Sequence, residues 1–171
     1  MDQAYKALLQ KQGYHFIGEH SACKTCEYTA KSMVDKGKCY KQTFYGIESH
    51  RCVQTTVAAN FCNLDCVFCW RERNNSAFGK IDDPIELVDN AIEAQQALLT
   101  GFGGNDDVNF NKWVEAQQPK HCAISLNGEN TTYPRLGEFI AELHKREISS
   151  FLVTNGQLPE VLEKITPPTQ L

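Results

Sequence analysis

Three cysteines in one short run, Phe61-Cys62-Asn63-Leu64-Asp65-Cys66-Val67-Phe68-Cys69-Trp70, carry the strongest chemical signal in the chain. Their spacing is Cys-x3-Cys-x2-Cys, with an aromatic residue just before the last cysteine. Three thiolates on one loop can hold three irons of a cubane 4Fe–4S cluster and leave the fourth iron without a protein ligand. That open iron can take a small molecule that brings its own nitrogen and oxygen. A zinc site is the competing reading. Zinc takes four tetrahedral ligands, usually from two separated Cys-x2-Cys pairs, and this loop holds one pair at that spacing. The spacing favours the cluster over zinc.

A second array lies upstream, where Cys26, Cys39 and Cys52 stand thirteen and thirteen residues apart. Cys23 forms Cys23-x2-Cys26, half of a zinc knuckle, and reads either as a spare thiol or as a substitute ligand. Cys122 falls mid-strand and reads as a packed core residue. His50 and His121 read as hydrogen-bonded structural histidines. Trp70 is expected to pack against the cluster, and Arg71 to meet a phosphate or form a surface ion pair.

The elements that must position these residues change style along the chain. Residues 1–52 show little periodicity and read as an irregular segment that a metal site could organise. From residue 53 the pattern is regular. Residues 53–59 are rich in β-branched types and read as a strand running straight into the cysteine loop. Asp82-Asp83-Pro84 opens a helix carrying Ile85, Val88, Ile92 and Leu99 at helical spacing, with Gly101 as its stop. Residues 101–119 are polar and read as a long connection. Residues 121–126 form a short apolar run, expected as a buried parallel strand. A second helix starts at Pro134 with Leu136, Phe139, Ile140 and Leu143 on one face. Residues 150–154 read as a third strand, and Leu158-Pro159 opens a third helix.

This alternation of strand and helix predicts an α/β fold with parallel strands and right-handed crossovers, either an open sheet or part of a barrel. Ligands in such folds bind at the carboxyl ends of the strands. The cysteine loop, Asn127-Gly128-Glu129 and Asn155-Gly156 all fall at that rim. Glu129 at a strand end is expected to meet a ligand ammonium, because a buried carboxylate without a partner is costly. Three strands leave one sheet edge unpaired, just where the chain ends at Ile165-Thr166-Pro167-Pro168-Thr169-Gln170-Leu171.

Composition bounds the alternatives. The chain has 171 residues, 42% hydrophobic, enough for one domain with its own core. No stretch approaches eighteen apolar residues, so no membrane span is expected. Residues 1–6 show no secretory signal, and eight cysteines without one argue for thiols kept reduced in the cytoplasm and against a disulfide framework. Net charge is −4, divided as +3 over residues 1–60 and −7 over residues 61–171. A surplus of three cations over sixty residues is weak support for a nucleic-acid surface.

The cysteine loop matches the signature of radical S-adenosylmethionine enzymes. Taken with Cys26, the run Cys39-Tyr40-Lys41-Gln42-Thr43-Phe44-Tyr45-Gly46-Ile47, His50-Arg51-Cys52 and Cys69-Trp70-Arg71, the chain closely resembles the N-terminal half of the 4-demethylwyosine synthase family of wybutosine biosynthesis, from about Cys26 to Leu171. The resemblance implies a partial radical-SAM (βα) barrel, truncated C-terminally, with auxiliary cysteines in residues 1–52 and barrel in residues 53–171. It implies a lyase that condenses pyruvate with N1-methylguanosine in the anticodon loop of phenylalanine tRNA, using two 4Fe–4S clusters and S-adenosyl-L-methionine. Electrons must come from an external donor. In such enzymes the amino and carboxylate groups of S-adenosylmethionine chelate the open iron, and one electron cleaves the sulfonium. By position, Cys62, Cys66 and Cys69 would bind that cluster, and Cys26, Cys39 and Cys52 an auxiliary one. Lys41 would capture pyruvate as a Schiff base. Asn127, Gly128 and Glu129 would contact the methionine amino group, Asn155 would line the same cofactor rim, and Phe68 would lie near the adenine. Two positions depart from the pattern: Asn127 stands where the superfamily carries glycine, and Asn130 where proline is expected. Another radical substrate, a zinc-stapled RNA-binding module and an inactive fragment are the alternative readings.

Overall fold

The computed structural model describes residues 1–72 and 74–171. Its strands are β1 (His15–Phe16), β2 (Ala22–Lys24), β3 (Cys52–Thr56), β4 (His121–Ile124) and β5 (Ser149–Leu152). Its helices are α1 (Gln3–Lys11), α2 (Glu27–Met33), α3 (Tyr40–Tyr45), α4 (Pro84–Leu99), α5 (Phe110–Ala116), α6 (Leu136–Lys145) and α7 (Pro159–Leu162). The strands form one sheet in the order β1-β2-β3-β4-β5. β3, β4 and β5 run parallel, joined by crossovers through α4 and α6, as the alternating pattern predicts. No helix among the described residues is long and apolar enough to cross a membrane.

The two crossover helices form for local reasons. Asp83 caps α4, its carboxylate accepting from the Ile85 amide at 2.9 Å, and Pro84 supplies a fixed φ at the first turn. α4 then buries Leu87, Val88, Ala91 and Ala94, and α6 buries Leu136, Phe139, Ile140 and Leu143. Both stripes meet Val53, Val57, Cys122, Ile124 and Leu152 of the sheet. Each such fully buried aliphatic or aromatic side chain contributes about 1.5–3 kcal/mol. Because strand side chains alternate, the residues between these face the other way. Cys52, Gln54, Ala123 and Phe151 therefore share the face that the crossover helices do not cover.

Three expectations need correction. Residues 1–52 are not irregular throughout, for they hold three helices and a hairpin. β2 joins β3 antiparallel through Cys23 opposite Thr55, extending the same sheet. Strands this short carry no readable pattern; β1 forms by pairing with β2, and β2 by pairing with β3 as well. The polar stretch 101–119 contains α5, capped by Asn109 and fastened where the Trp113 indole donates to the Leu99 carbonyl at 2.9 Å. Nor is the far edge left bare. The Leu152 amide donates to Gln170 O and the Gln170 amide to Ser150 O, each at 3.0 Å, so the tail runs parallel to β5.

Candidate metal centres

The loop that leaves β3 carries the first cysteine trio into a cleft of about 500 Å³. Cys62, Cys66 and Cys69 line it from one side, and Gly128, Glu129 and Asn155 from the other. The backbone turns between the last two cysteines, the Cys69 amide donating to Cys66 O at 3.0 Å. Asn75 Oδ1 accepts from the Cys62 amide at 3.2 Å. Behind the loop, the Tyr5 hydroxyl donates to the carbonyls of Ala59 and Glu72, at 3.1 and 2.8 Å. Burial pushes the Tyr5 hydroxyl up to about 12, which keeps it a donor. Arg71 donates to the Tyr14 hydroxyl at 2.9 Å and lies over the Trp70 ring, 3.9 Å from its centroid. Among the described residues it makes no ion pair. Phe68 and Trp70 are 83% and 79% exposed, so Trp70 presents its ring to solvent at the cleft rim and does not pack inward.

The segment Asn127-Gly128-Glu129-Asn130 locks the opposite wall. Gly128 has φ +72°, and a Cβ there would overlap the Ala58 carbonyl oxygen and lie 2.7 Å from that of Phe61. Only glycine permits this approach of β4's exit loop to the cysteine loop. The Glu129 amide seals it by donating to Phe61 O at 2.8 Å. The Glu129 carboxylate is buried but not orphaned. It accepts from the Thr131 amide and hydroxyl, the Thr154 hydroxyl and the Asn155 amide, at 3.1, 2.7, 2.8 and 2.7 Å. Three of these donors crowd Oε1 and one reaches Oε2, which retains room for a further donor. Asn155 Nδ2 donates to Asn63 Oδ1 at 2.7 Å, tying β5's exit to the cysteine loop. Asn127 turns its amide inward to Ala59 O at 2.9 Å, and its buried Oδ1 has no partner. Asn130 accepts on Oδ1 from the Val57 amide at 2.9 Å and the Thr56 hydroxyl at 3.0 Å, which stitches the end of β3. Sequence reasoning flagged Asn130 only as a departure, and it missed Tyr5 and Tyr14 altogether.

The second trio also converges. Cys26, Cys39, Cys52 and Lys41 line one cavity on the uncovered face of the sheet. Cys26 and Cys39 are the N-cap residues of α2 and α3, and neither thiol is engaged in capping. Ser49 fixes the second of these turns by accepting from the Cys39 amide at 2.9 Å. Burial pushes the Cys52 thiol up to about 12, an effect that nearby Lys41 opposes. A ligated metal would reverse it by deprotonating the thiol outright. Lys41 Nζ lies 4.0 Å from the centroid of the Phe151 ring. Cys23 is absent from this group: it lies fully buried in the helix-facing core with Cys122, where burial pushes its thiol up to about 12. His50 and His121 are hydrogen-bonded, His50 Nε2 to Glu115 at 2.6 Å and His121 Nδ1 to Ser149 at 2.7 Å.

Neither cysteine trio is drawn in to the spacing that one zinc ion requires. Thiolates bound to one zinc at about 2.3 Å have sulfurs roughly 4 Å apart. Among the described residues no three cysteine sulfurs lie within 4.8 Å of one another.

Comparisons with known proteins agree with this geometry. Residues 56–167 match the Radical SAM superfamily. The chain is 43% identical over 179 residues to the S-adenosyl-L-methionine-dependent tRNA 4-demethylwyosine synthase of Pyrococcus horikoshii, covering all of this chain and 52% of that protein. It is 44% identical over 172 residues to the human synthase TYW1, covering 98% of this chain and 23% of that one. The chain thus spans about half the length of the archaeal relative. A solved structure of TYW1 with a lysine-pyruvate adduct bound superposes with a TM-score of 0.92 at 40% identity, over all of this chain and 57% of that one. A crystal structure of archaeal TYW1 gives 0.86 at 37% identity, over all of this chain and 58% of that one. The resemblance drawn from the cysteine arrays is upheld, and this chain belongs to the radical SAM superfamily.

Proposed function

We propose that this chain carries both metal centres and the pyruvate-capturing lysine of a tRNA 4-demethylwyosine synthase. Superfamily membership brings with it S-adenosylmethionine and an iron–sulfur cluster. The observation that carries the fuller reading is the placement of Lys41 within the second cysteine trio, on the same sheet face that leads to the first. A structural relative at TM-score 0.92 is described with a lysine-pyruvate adduct, which supports the same role for Lys41.

Bound at Cys62, Cys66 and Cys69, a 4Fe–4S cluster would supply an electron and an open iron for S-adenosylmethionine. A second cluster would sit at Cys26, Cys39 and Cys52. The chain's own residues do the rest. Lys41 Nζ, once deprotonated, attacks the keto carbon of pyruvate; a C=N bond forms and the keto oxygen leaves as water. Phe151 holds the resting ammonium by its ring face. Gly128 and Glu129 hold the cofactor wall together, and Oε2 of Glu129 would accept from the ligand amino group. Asn155 fixes the rim, and exposed Phe68 meets the adenine. The target is N1-methylguanosine in the anticodon loop of phenylalanine tRNA. The overall class is a carbon–carbon lyase fed by an external electron donor in the reducing cytoplasm.

Anaerobic reconstitution followed by borohydride reduction tests this. Wild type should bind roughly eight irons per chain and trap labelled pyruvate covalently, and Lys41→Ala should keep the iron and lose the label. Equal labelling of both proteins would refute the role of Lys41. Four irons or fewer would refute the second cluster.

A further inference from the structure

Three cavities lie in a row along the uncovered face of the sheet. The first, about 200 Å³, is lined by Cys52, His121 and Ser149, the opening residues of β3, β4 and β5. It therefore sits at the amino ends of the parallel strands. Lys41 and Cys52 are shared between it and the cavity of the second cysteine trio. Ser125 is shared between that cavity and the cleft of the first trio, at the carboxyl ends. Lys41 thus stands between two openings at opposite ends of the sheet.

Resting on the function proposed above, we propose that the 2-oxo acid reaches Lys41 through the cavity at the amino ends of the strands, while RNA covers the cleft at their carboxyl ends. The two cavities differ in the way their occupants require. The amino-end cavity has room for a six-heavy-atom acid and none for a nucleotide loop. Among the described residues no carboxylate lines it and Lys41 does, so a small anion meets attraction there. Its walls mix apolar side chains such as Ile47 and Phe151 with the polar His121 and Ser149. His121 Nε2 accepts from the Glu48 amide at 3.0 Å, which leaves the proton on Nδ1, donated to Ser149. That pair clamps the turn after α3 to β4 and keeps the mouth open. The carboxyl-end cleft is wider and rimmed by exposed Phe68 and Trp70, with Arg71 stacked on the latter, a surface suited to bases and phosphates. A macromolecule seated there would block approach to Lys41 from the carboxyl-end cleft. The amino-end port lets the acid enter, and the water of imine formation leave, with RNA in place.

The test is the rate of borohydride-trapped pyruvate on the reconstituted protein, with and without saturating methylguanosine-containing tRNA. An undiminished rate with tRNA bound supports the amino-end port. Suppression by tRNA of roughly tenfold or more overturns it, because access would then run through the cleft. A second arm narrows the port with Ile47→Trp, at a half-buried lining position. It should slow trapping by roughly ten- to a hundredfold, the penalty range for overfilling a packed site. The final adduct yield should not change, since a port alters approach and escape equally. An unchanged rate in this variant also overturns the proposal. No trapping under any condition sinks the role of Lys41 itself, and that failure is separate from a wrong route.

Discussion

Gly128 and Gly156 share a φ of +72° but differ in what surrounds them. Alanine at either position pays for the left-handed conformation, about 1–2 kcal/mol. At Gly156 nothing lies within 4 Å of the added methyl, so that is the whole penalty. At Gly128 the methyl overlaps the Ala58 carbonyl oxygen, and the two backbones must part by roughly 1 Å or more to restore contact distance. Parting them breaks the hydrogen bond from the Glu129 amide to Phe61 O and strains those from Thr56 to Asn127 O and from Asn127 to Ala59 O. At about 1 kcal/mol for each of two or three bonds, Gly128→Ala should lose roughly 3–5 kcal/mol in all. Urea unfolding followed by circular dichroism reads the difference. With a slope of about 2 kcal/mol per molar, the two variants should differ by about 1 M in midpoint. Equal midpoints would refute the argument that close backbone approach, and not φ alone, requires glycine at 128.

Glu129→Gln places an amide N–H₂ against at least one of the four donors that surround the carboxylate, and should destabilise by about 1–3 kcal/mol in a thermal or urea melt. Asn130→Ala leaves the Val57 amide buried without an acceptor, and a loss of about 1–3 kcal/mol is expected in the same assay. Burial lowers the pKa of His20 below 6.5 against the opposing pull of Asp82, and burial lowers that of His121 too. The unfolded chain then takes up protons first as pH falls below 6.5, so stability should decline from neutral pH downward. His20→Asn should show a shallower decline, and identical slopes would count against His20 as a source.

How much was legible in the sequence follows from the range of each signal. The spacing of the first trio, the Asp83 cap of α4 and the apolar stripe of α6 are set within a few residues and were readable, whereas on α4 Ile85, expected in the stripe, is exposed and Leu87, Ala91 and Ala94 are buried. Asn130 could be flagged but not explained, because its partners Thr56 and Val57 lie more than seventy residues away. Tyr5 acts on Ala59 and Glu72 across a similar gap. β1 and β2 are two and three residues long and exist only through their pairing. α5 hid within a polar stretch because only Ala116 on it is fully buried. Glu129 was rightly expected to need partners, but internal donors supply four of them.

Both cysteine sites hang from β3. Cys52 is its first residue, and the loop bearing Cys62 departs just beyond its last. A strand advances about 3.3 Å per residue, so β3 spans about 13 Å between its end residues. It is gripped on both flanks, by β2 and by β4. The strand is therefore a ruler: its pitch, and not the pliancy of either loop, dictates how far apart the two sites stand. Deleting one residue from it would do more than shorten the gap, because the side chains beyond the deletion would exchange faces and carry one site to the wrong side of the sheet.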